Sequence, residues 1–292
     1  MLDILLMALA GMVIICIWIM IFDSHRFVVR RVSFCDARIQ KPYRVVVLSD
    51  LHNKRYGRDN AYLLEAIKRQ EPDAIFVAGD ILTAHPKEKL DVAVHFISEL
   101  AKCYPIYYGN GNHEHRLKLY PEKYGDMAKE YEKALSEAGV TPMVNTNREI
   151  EGTGIVVYGL EIDRYFYKRF TVPEMEAGYL QEVLGKPDAD KYTCLLAHNP
   201  DYFEKYASWG ADAVFSGHVH GGMVRIPFWK GIVSPNVRLF PKYDGGIYTH
   251  EKATMVLSRG LGMHTIPIRL FNPGELIVVE FQNCLASEEK LL

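Results

Sequence analysis

Six short apolar runs, each closing on Asp, Asn, His or Gly, limit what this chain can fold into more than any other feature. Arg44-Val45-Val46-Val47-Leu48, Ala74–Ala78 and residues 105–108 are continuous rather than alternating, and so are 154–160, 192–197 and 211–215. Runs this short and this uniformly apolar suit strands covered on both faces. Between the early ones, Leu63, Leu64 and Ile67 make one stripe and Leu90, Val94, Ile97 and Leu100 another, at the three-to-four residue spacing of amphipathic helices. This alternation predicts an α/β fold of βαβ units with right-handed crossovers. Residues 254–258 and 276–281 read as strands after the helices give out, so a more antiparallel second half is expected.

A different constraint acts at the N-terminus. Residues 4–22 carry no charge and, at about 1.5 Å per helical residue, approach the roughly 30 Å of a bilayer's hydrocarbon core. Met1-Leu2-Asp3 precedes the run and Asp23-Ser24-His25-Arg26 follows it, so the basic leader and small-residue cleavage site of a signal peptide are both missing. An uncleaved single-pass anchor is expected over 1–23, then a juxtamembrane connector over 24–39, one main domain over 40–284 and a tail over 285–292. Arg26, Arg30 and Arg31 follow the span and no Lys or Arg precedes it, which predicts a cytoplasmic main domain. Elsewhere, 34 Lys+Arg against 36 Asp+Glu leave a net charge of −2, so no nucleic-acid partner is indicated. The 5 cysteines lack CxxC spacing, which speaks against a disulfide framework and a cysteine zinc site.

The residues that close the apolar runs carry the chemistry. They are Asp50 and His52, Gly79-Asp80, Gly109-Asn110-Gly111-Asn112-His113-Glu114, His198, and Gly217-His218-Val219-His220-Gly221-Gly222. In an open α/β sheet the carboxyl ends of the strands line one crevice, so segments distant in sequence can deliver these side chains to one place. Asp, Asn and His offer hard oxygen and imidazole ligands, suited to Mn, Fe, Zn, Ni or Co. Taken singly, an Asp after a strand is an ordinary turn or helix-cap residue, and a buried His can be a hydrogen-bonded core residue. Two histidines among glycines in one tight turn have less reason to be there unless they are ligands, and the ordered set would be an improbable accident.

Through Asp50-x-His52, Gly79-Asp80, Gly111-Asn112-His113-Glu114, His198 and Gly217-His218-x-His220, residues 40–282 resemble the calcineurin-like metallophosphoesterases. Arg225, Ser234-Pro235, Leu239-Phe240-Pro241-Lys242-Tyr243, Ser258-Arg259-Gly260-Leu261-Gly262 and Pro267-Ile268-Arg269-Leu270-Phe271-Asn272-Pro273 are similar to the membrane-anchored bacterial branch. The resemblance implies a four-layer α/β/β/α sandwich with two metal ions at the carboxyl ends of the central strands. It also implies that Asp50, His52, Asp80 and His220 hold one ion, and Asp80, Asn112, His198 and His218 the other.

Two ions about 3.5–4 Å apart repel each other, and a shared carboxylate, here Asp80, holds them together. Two divalent ions with Asp50 and Asp80 leave a site near +2, which attracts a phosphate ester. Water on such ions can have its pKa lowered to about 7, so hydroxide can attack in line without a protein nucleophile. His113 is assigned to the transition state or leaving group as a proton or hydrogen-bond donor; Arg116 and His264 are expected substrate contacts. The expected activity is hydrolysis of a phosphodiester or related ester, the substrate lipid-linked if the apolar segment 223–233 beside the histidine turn admits an acyl or prenyl chain. The competing readings are a diphosphatase acting on a nucleotide- or lipid-linked substrate such as a UDP-acylglucosamine, and a non-catalytic scaffold of the same fold.

Overall fold

The apolar N-terminal run forms one 24-residue helix, α1 (Leu2–His25), in the computed structural model, which describes residues 1–222, 224, 225, 231, 239–263 and 268–284. Its apolar side chains face outward, and it is long and apolar enough to cross a membrane. Asp23 and Ser24 at its end are instead buried against the rest of the chain.

Two six-stranded sheets follow. The first has the order β1 (Phe27–Cys35), β12 (Gly274–Gln282), β2 (Tyr43–Leu48), β3 (Ala74–Ala78), β4 (Ile106–Gly109) and β5 (Thr141–Pro142). The second runs β10 (Gly246–His250), β11 (Ala253–Leu257), β9 (Ala213–Ser216), β8 (Tyr192–Ala197), β7 (Ile155–Leu160) and β6 (Thr146–Ile150). Successive side chains of a strand point to opposite faces, so each continuous apolar run supplies two cores. Val46, Leu48, Ile75 and Val77 meet α2 (Ala61–Lys68), α3 (Asp91–Ala101) and α6 (Met127–Glu137) through Leu63, Ile67, Phe96, Ile97 and Tyr131. Val45, Val47 and Phe76 point the other way, against Val157, Leu196 and Phe215 of the second sheet. The outer face of that sheet, with Tyr158, Leu195 and Val214, is covered by α7 (Tyr179–Leu184) and α8 (Phe203–Trp209) through Leu180, Phe203 and Tyr206. The result is the expected four-layer α/β/β/α sandwich.

Three expectations need correction. The second sheet is not mainly antiparallel: β7, β8, β9 and β11 run parallel, and only the β6–β7 and β10–β11 pairs are antiparallel. The C-terminal strand taken as part of it, β12, returns instead to the first sheet, antiparallel to β2. The connector of residues 24–39 contains β1, which pairs in parallel with β12 from Phe27↔Gly274 to Cys35↔Gln282. As an edge strand with Arg30 and Arg31 exposed, β1 lacks the continuous apolar pattern of the central strands. Cys35, the last residue of this pairing, and Cys284, just past Gln282, are joined as a disulfide with Cα atoms 5.1 Å apart, a link that no short cysteine spacing announces.

Phe215 is fully buried between the sheets, its ring edge-on to Phe34 and Phe76. Phe215→Ala should therefore lower unfolding free energy by about 3–5 kcal/mol in denaturant titrations of the detergent-solubilised protein, because neither sheet can collapse into the space. A loss below about 1 kcal/mol would mean that the sheets are not packed on this residue.

Candidate metal centre

Strands β2, β3 and β4 are parallel, and so are β8 and β9. The first three release Asp50 with His52, Asp80, and Asn112 with His113 just past their carboxyl ends; the other two release His198, and His218 with His220. All of these side chains are buried, and both sheets deliver them to one place. Asn112 and His113 open the short helix α4 (Asn112–Leu119).

The ligand atoms crowd together. Nε2 of His52 lies 3.1 Å from Nε2 of His220. Nε2 of His198 is 3.1 Å from Asp80 Oδ2, and Nε2 of His220 is 3.3 Å from Asp50 Oδ1. Ligands bound at about 2.0–2.2 Å to one ion stand roughly 3 Å apart, so these separations are those of atoms sharing a cation. Asp50, His52 and His220 form one such group and Asp80, His198 and His218 another, each with its atoms within 4.8 Å. The amide oxygen of Asn112 is buried with no hydrogen-bond partner among the described residues, as a carbonyl ligand would be. Nδ1 of His198 donates to the carbonyl of Ala78 at 2.7 Å, which orients the ring so that Nε2 faces Asp80. The donor set thus fits two divalent ions, with Asp80 between the groups.

His113 is held differently. Its atoms also group with those of His52 and Asp80. However, the backbone N–H of Ala84 donates to its Nδ1 at 2.8 Å, so in the neutral ring Nε2 carries the proton. A ring nitrogen bearing hydrogen is a donor and not a ligand.

Charge follows from this crowding. Burial pushes the Asp50 carboxyl up to about 6 against the pull of His198. At Asp80 burial acts in the same direction, but the imidazoles of His198, His113 and His52 overcome it and hold the carboxyl well below the usual range. Burial disfavours charge on His198 too, yet the Asp80 carboxylate raises it to about 10.

The loops are braced by residues that touch no ligand atom. Glu114 accepts from the backbone N–H groups of Asp80, Ile81 and Gly111, each at 2.9 Å, and from the hydroxyl of Tyr108. Burial, followed by the charge of Asp80, raises its pKa to about 7. Arg269, whose role beside the site no spacing announced, donates to the carbonyls of Arg259, Gly260, Gly262 and Asn272 and so shapes the loop over Asp50. Asn272 donates to the carbonyls of His220 and Gly222 at 2.7 Å, and its own N–H donates to Asp23 at the end of α1 at 2.9 Å. Here the Arg269-Leu270-Phe271-Asn272 signature acquires a physical role. Arg116 lies on the rim of an open cavity that also touches Asn112 and His218. His264 and residues 226–230, with Phe228 and Trp229, lie outside the described residues.

A family model described as calcineurin-like phosphoesterase matches residues 43–222. An uncharacterized metallophosphoesterase of Campylobacter jejuni is 24% identical over 84% of this chain, which spans 60% of that protein's length. The phosphodiesterase YaeI of Escherichia coli is 26% identical, with 76% of each chain covered. The UDP-2,3-diacylglucosamine pyrophosphatase LpxG of Chlamydia muridarum is 22% identical over 81% of this chain and 82% of its own.

One close approach can be tested directly. A Cβ on Gly111 would sit 2.2 Å from Asp80 Oδ1 and 2.6 Å from the Asp80 nitrogen, so a side chain there must displace the carboxylate. Gly111→Ala is expected to lose most of the divalent metal found by elemental analysis of the purified protein while keeping its far-ultraviolet circular dichroism. Metal content equal to that of the unsubstituted protein would show that Asp80 does not need this approach.

Proposed function

Because the chain belongs to the calcineurin-like phosphoesterase family, we propose that it is a membrane-anchored, binuclear metal-dependent hydrolase of phosphodiesters. The observation that carries the reading is the convergence of Asp50, His52, Asp80, Asn112, His198, His218 and His220 from the ends of both sheets. In this reading Asp50, His52, Asp80 and His220 would hold one ion, and Asp80, shared between the two groups, would hold the second with Asn112, His198 and His218. Ions bound there would supply Lewis acidity toward the phosphoryl oxygens and would lower the pKa of a bound water, so that hydroxide is available near neutral pH. His113 directs its Nε2–H at the ester and stabilises or protonates the departing oxygen, held in that tautomer by the Ala84 amide. A scaffold without catalysis would have no use for this hydrogen bond together with a full ligand set.

Asp80→Ala is expected to abolish turnover of bis(p-nitrophenyl) phosphate and to lose both ions. His113→Ala should lower kcat by about 10²–10⁴ with close to two ions retained per chain by elemental analysis. Loss of metal from the His113 variant would make it a ligand instead.

A lipid-linked substrate is supported by the two hydrogen bonds that Asn272 donates, from its backbone N–H to the Asp23 carboxylate and from its side-chain amide to the His220 carbonyl, which tie the end of α1 to the metal-ligand loop. A site so close to an anchor meets bilayer-borne esters at a raised effective concentration. In reconstituted vesicles, kcat/KM should be higher for a lipid-linked phosphodiester than for its water-soluble head-group analogue. Equal values would leave a soluble diester as the substrate.

The three arginines after the span act on the nascent chain and favour a cytoplasmic catalytic domain. Protease added to intact cells should therefore leave the domain intact, and digestion from outside would reverse the topology. The Cys35–Cys284 pair reads the compartment independently, since thiol labelling in cells distinguishes a reducing cytoplasm from an oxidising exterior.

A further inference from the structure

Beside the metal-ligating groups lies a cavity of about 360 Å³ that begins at Asn112 and His218 and continues between Arg116, Lys123, Arg164 and Arg169. None of its described lining residues is acidic, and none of these four cations is ion-paired among the described residues. That is unusual in a chain of net charge −2. Most of its other arginines are paired, as Arg38 is with Asp36 and Asp212 and Arg44 with Glu280. Nε of Arg116 is buried without a hydrogen-bond partner, a donor left over for something that the chain does not itself provide. Two of the cations are held over aromatic rings: Arg164 lies 5.4 Å from the ring centre of Tyr120 and Lys123 lies 5.3 Å from that of Tyr124. Arg164 opens a short 3-10 turn (Arg164–Tyr167) capped by Asp163, whose carboxylate accepts from the Tyr165 N–H, and Tyr167 at its other end packs edge-on to the ring of His218.

We propose that this cavity is a subsite for a second phosphoryl group, so that the preferred substrate is a diphosphate diester with one phosphorus at the metal centre and the other among Arg116, Lys123, Arg164 and Arg169. The inference rests on the phosphoesterase reading and specifies its substrate class. In a diphosphate the two phosphorus atoms share one bridging oxygen, which suits a cationic cavity continuous with the centre. Hydrolysis consumes one water. Its oxygen forms the new bond to the phosphorus at the centre, and the bridging P–O bond on that phosphorus breaks. The electron pair leaves on the bridging oxygen with the second phosphoryl group. Two phosphate monoesters result, and the protons of water pass to solvent or remain on the products according to pH. The departing group is a phosphate, a far better leaving group than an alkoxide, and the guanidinium groups of the cavity meet the charge that it gains.

The test compares kcat/KM for UDP-glucose, and for UDP-glucose acylated on its sugar, with kcat/KM for bis(p-nitrophenyl) phosphate, which has a single phosphoryl group. The full-length protein and Arg164→Ala/Arg169→Ala, both exposed positions, would be assayed in the same detergent. The ratio of diphosphate to monophosphoryl efficiency should fall by roughly 10- to 100-fold in the double variant. Arg164→Glu, which reverses one charge, should lower it as well. Whichever diphosphate has the higher efficiency in the unsubstituted protein identifies a soluble or a lipid-borne source. A ratio that stays within threefold in both variants would overturn the subsite while leaving the phosphoesterase reading intact. Failure of the unsubstituted protein to turn over bis(p-nitrophenyl) phosphate would instead remove the reading on which the subsite rests.

Discussion

The approach of the loop after β3 to the loop after β4 is the contact on which the site depends. Gly79 and Gly111 meet there with no room for a side chain on either, since a Cβ on Gly79 would lie 2.5 Å from the Gly111 Cα. At this distance the N–H of His113 reaches Asp80 Oδ1 at 2.7 Å, and one carboxylate, Glu114, accepts from backbone groups on both loops. The carboxylate that faces the histidines is thus positioned by backbone, and backbone contacts do not change with side-chain rotamer. Sheet geometry brings the strand ends into the same region, and this contact sets the finer register.

Such loops are costly to fold. Asp50, His52, Asp80, His218 and His220 all have positive φ, between 49° and 73°, a region that non-glycine residues enter at a cost of order 1–3 kcal/mol each. The strain persists because surrounding groups over-determine it: Glu114 from one side, Arg269 from the loop over Asp50, and Asn272 under the carbonyls of His220 and Gly222. Backbone strain, buried charge and braces occur together at the ends of the strands, which is where the fold departs from local propensity.

The central strands were legible because burial on both faces leaves a continuous apolar run, and the candidate ligands were legible because each such run stops abruptly at a polar residue. What was not legible depends on pairing across long sequence separations. β1 is an edge strand with arginines on its open face, so its pattern is that of a linker until β12 is beside it. Strand direction in the second sheet is set by the crossovers and not by apolar content, which is why a parallel arrangement read as antiparallel. Arg269 and Asn272 act through backbone carbonyls, which carry no side-chain signature at their partners. Arg164 and Arg169 stand in a stretch with too little periodicity to be assigned to any face, and only the folded chain brings them beside Asn112 and His218.

The parallel pairing of β1 with β12 joins the strand nearest the N-terminal helix to the last strand of the sandwich. Nearly the whole sandwich is made between the two, and ribosomes add about 5–20 residues per second. For tens of seconds, then, the segment beside α1 has emerged while the strand that will hold it does not yet exist. Order of synthesis therefore makes the closing of the first sheet a late step, because β1 remains an unpaired, arginine-bearing segment until β12 has been made to lie beside it.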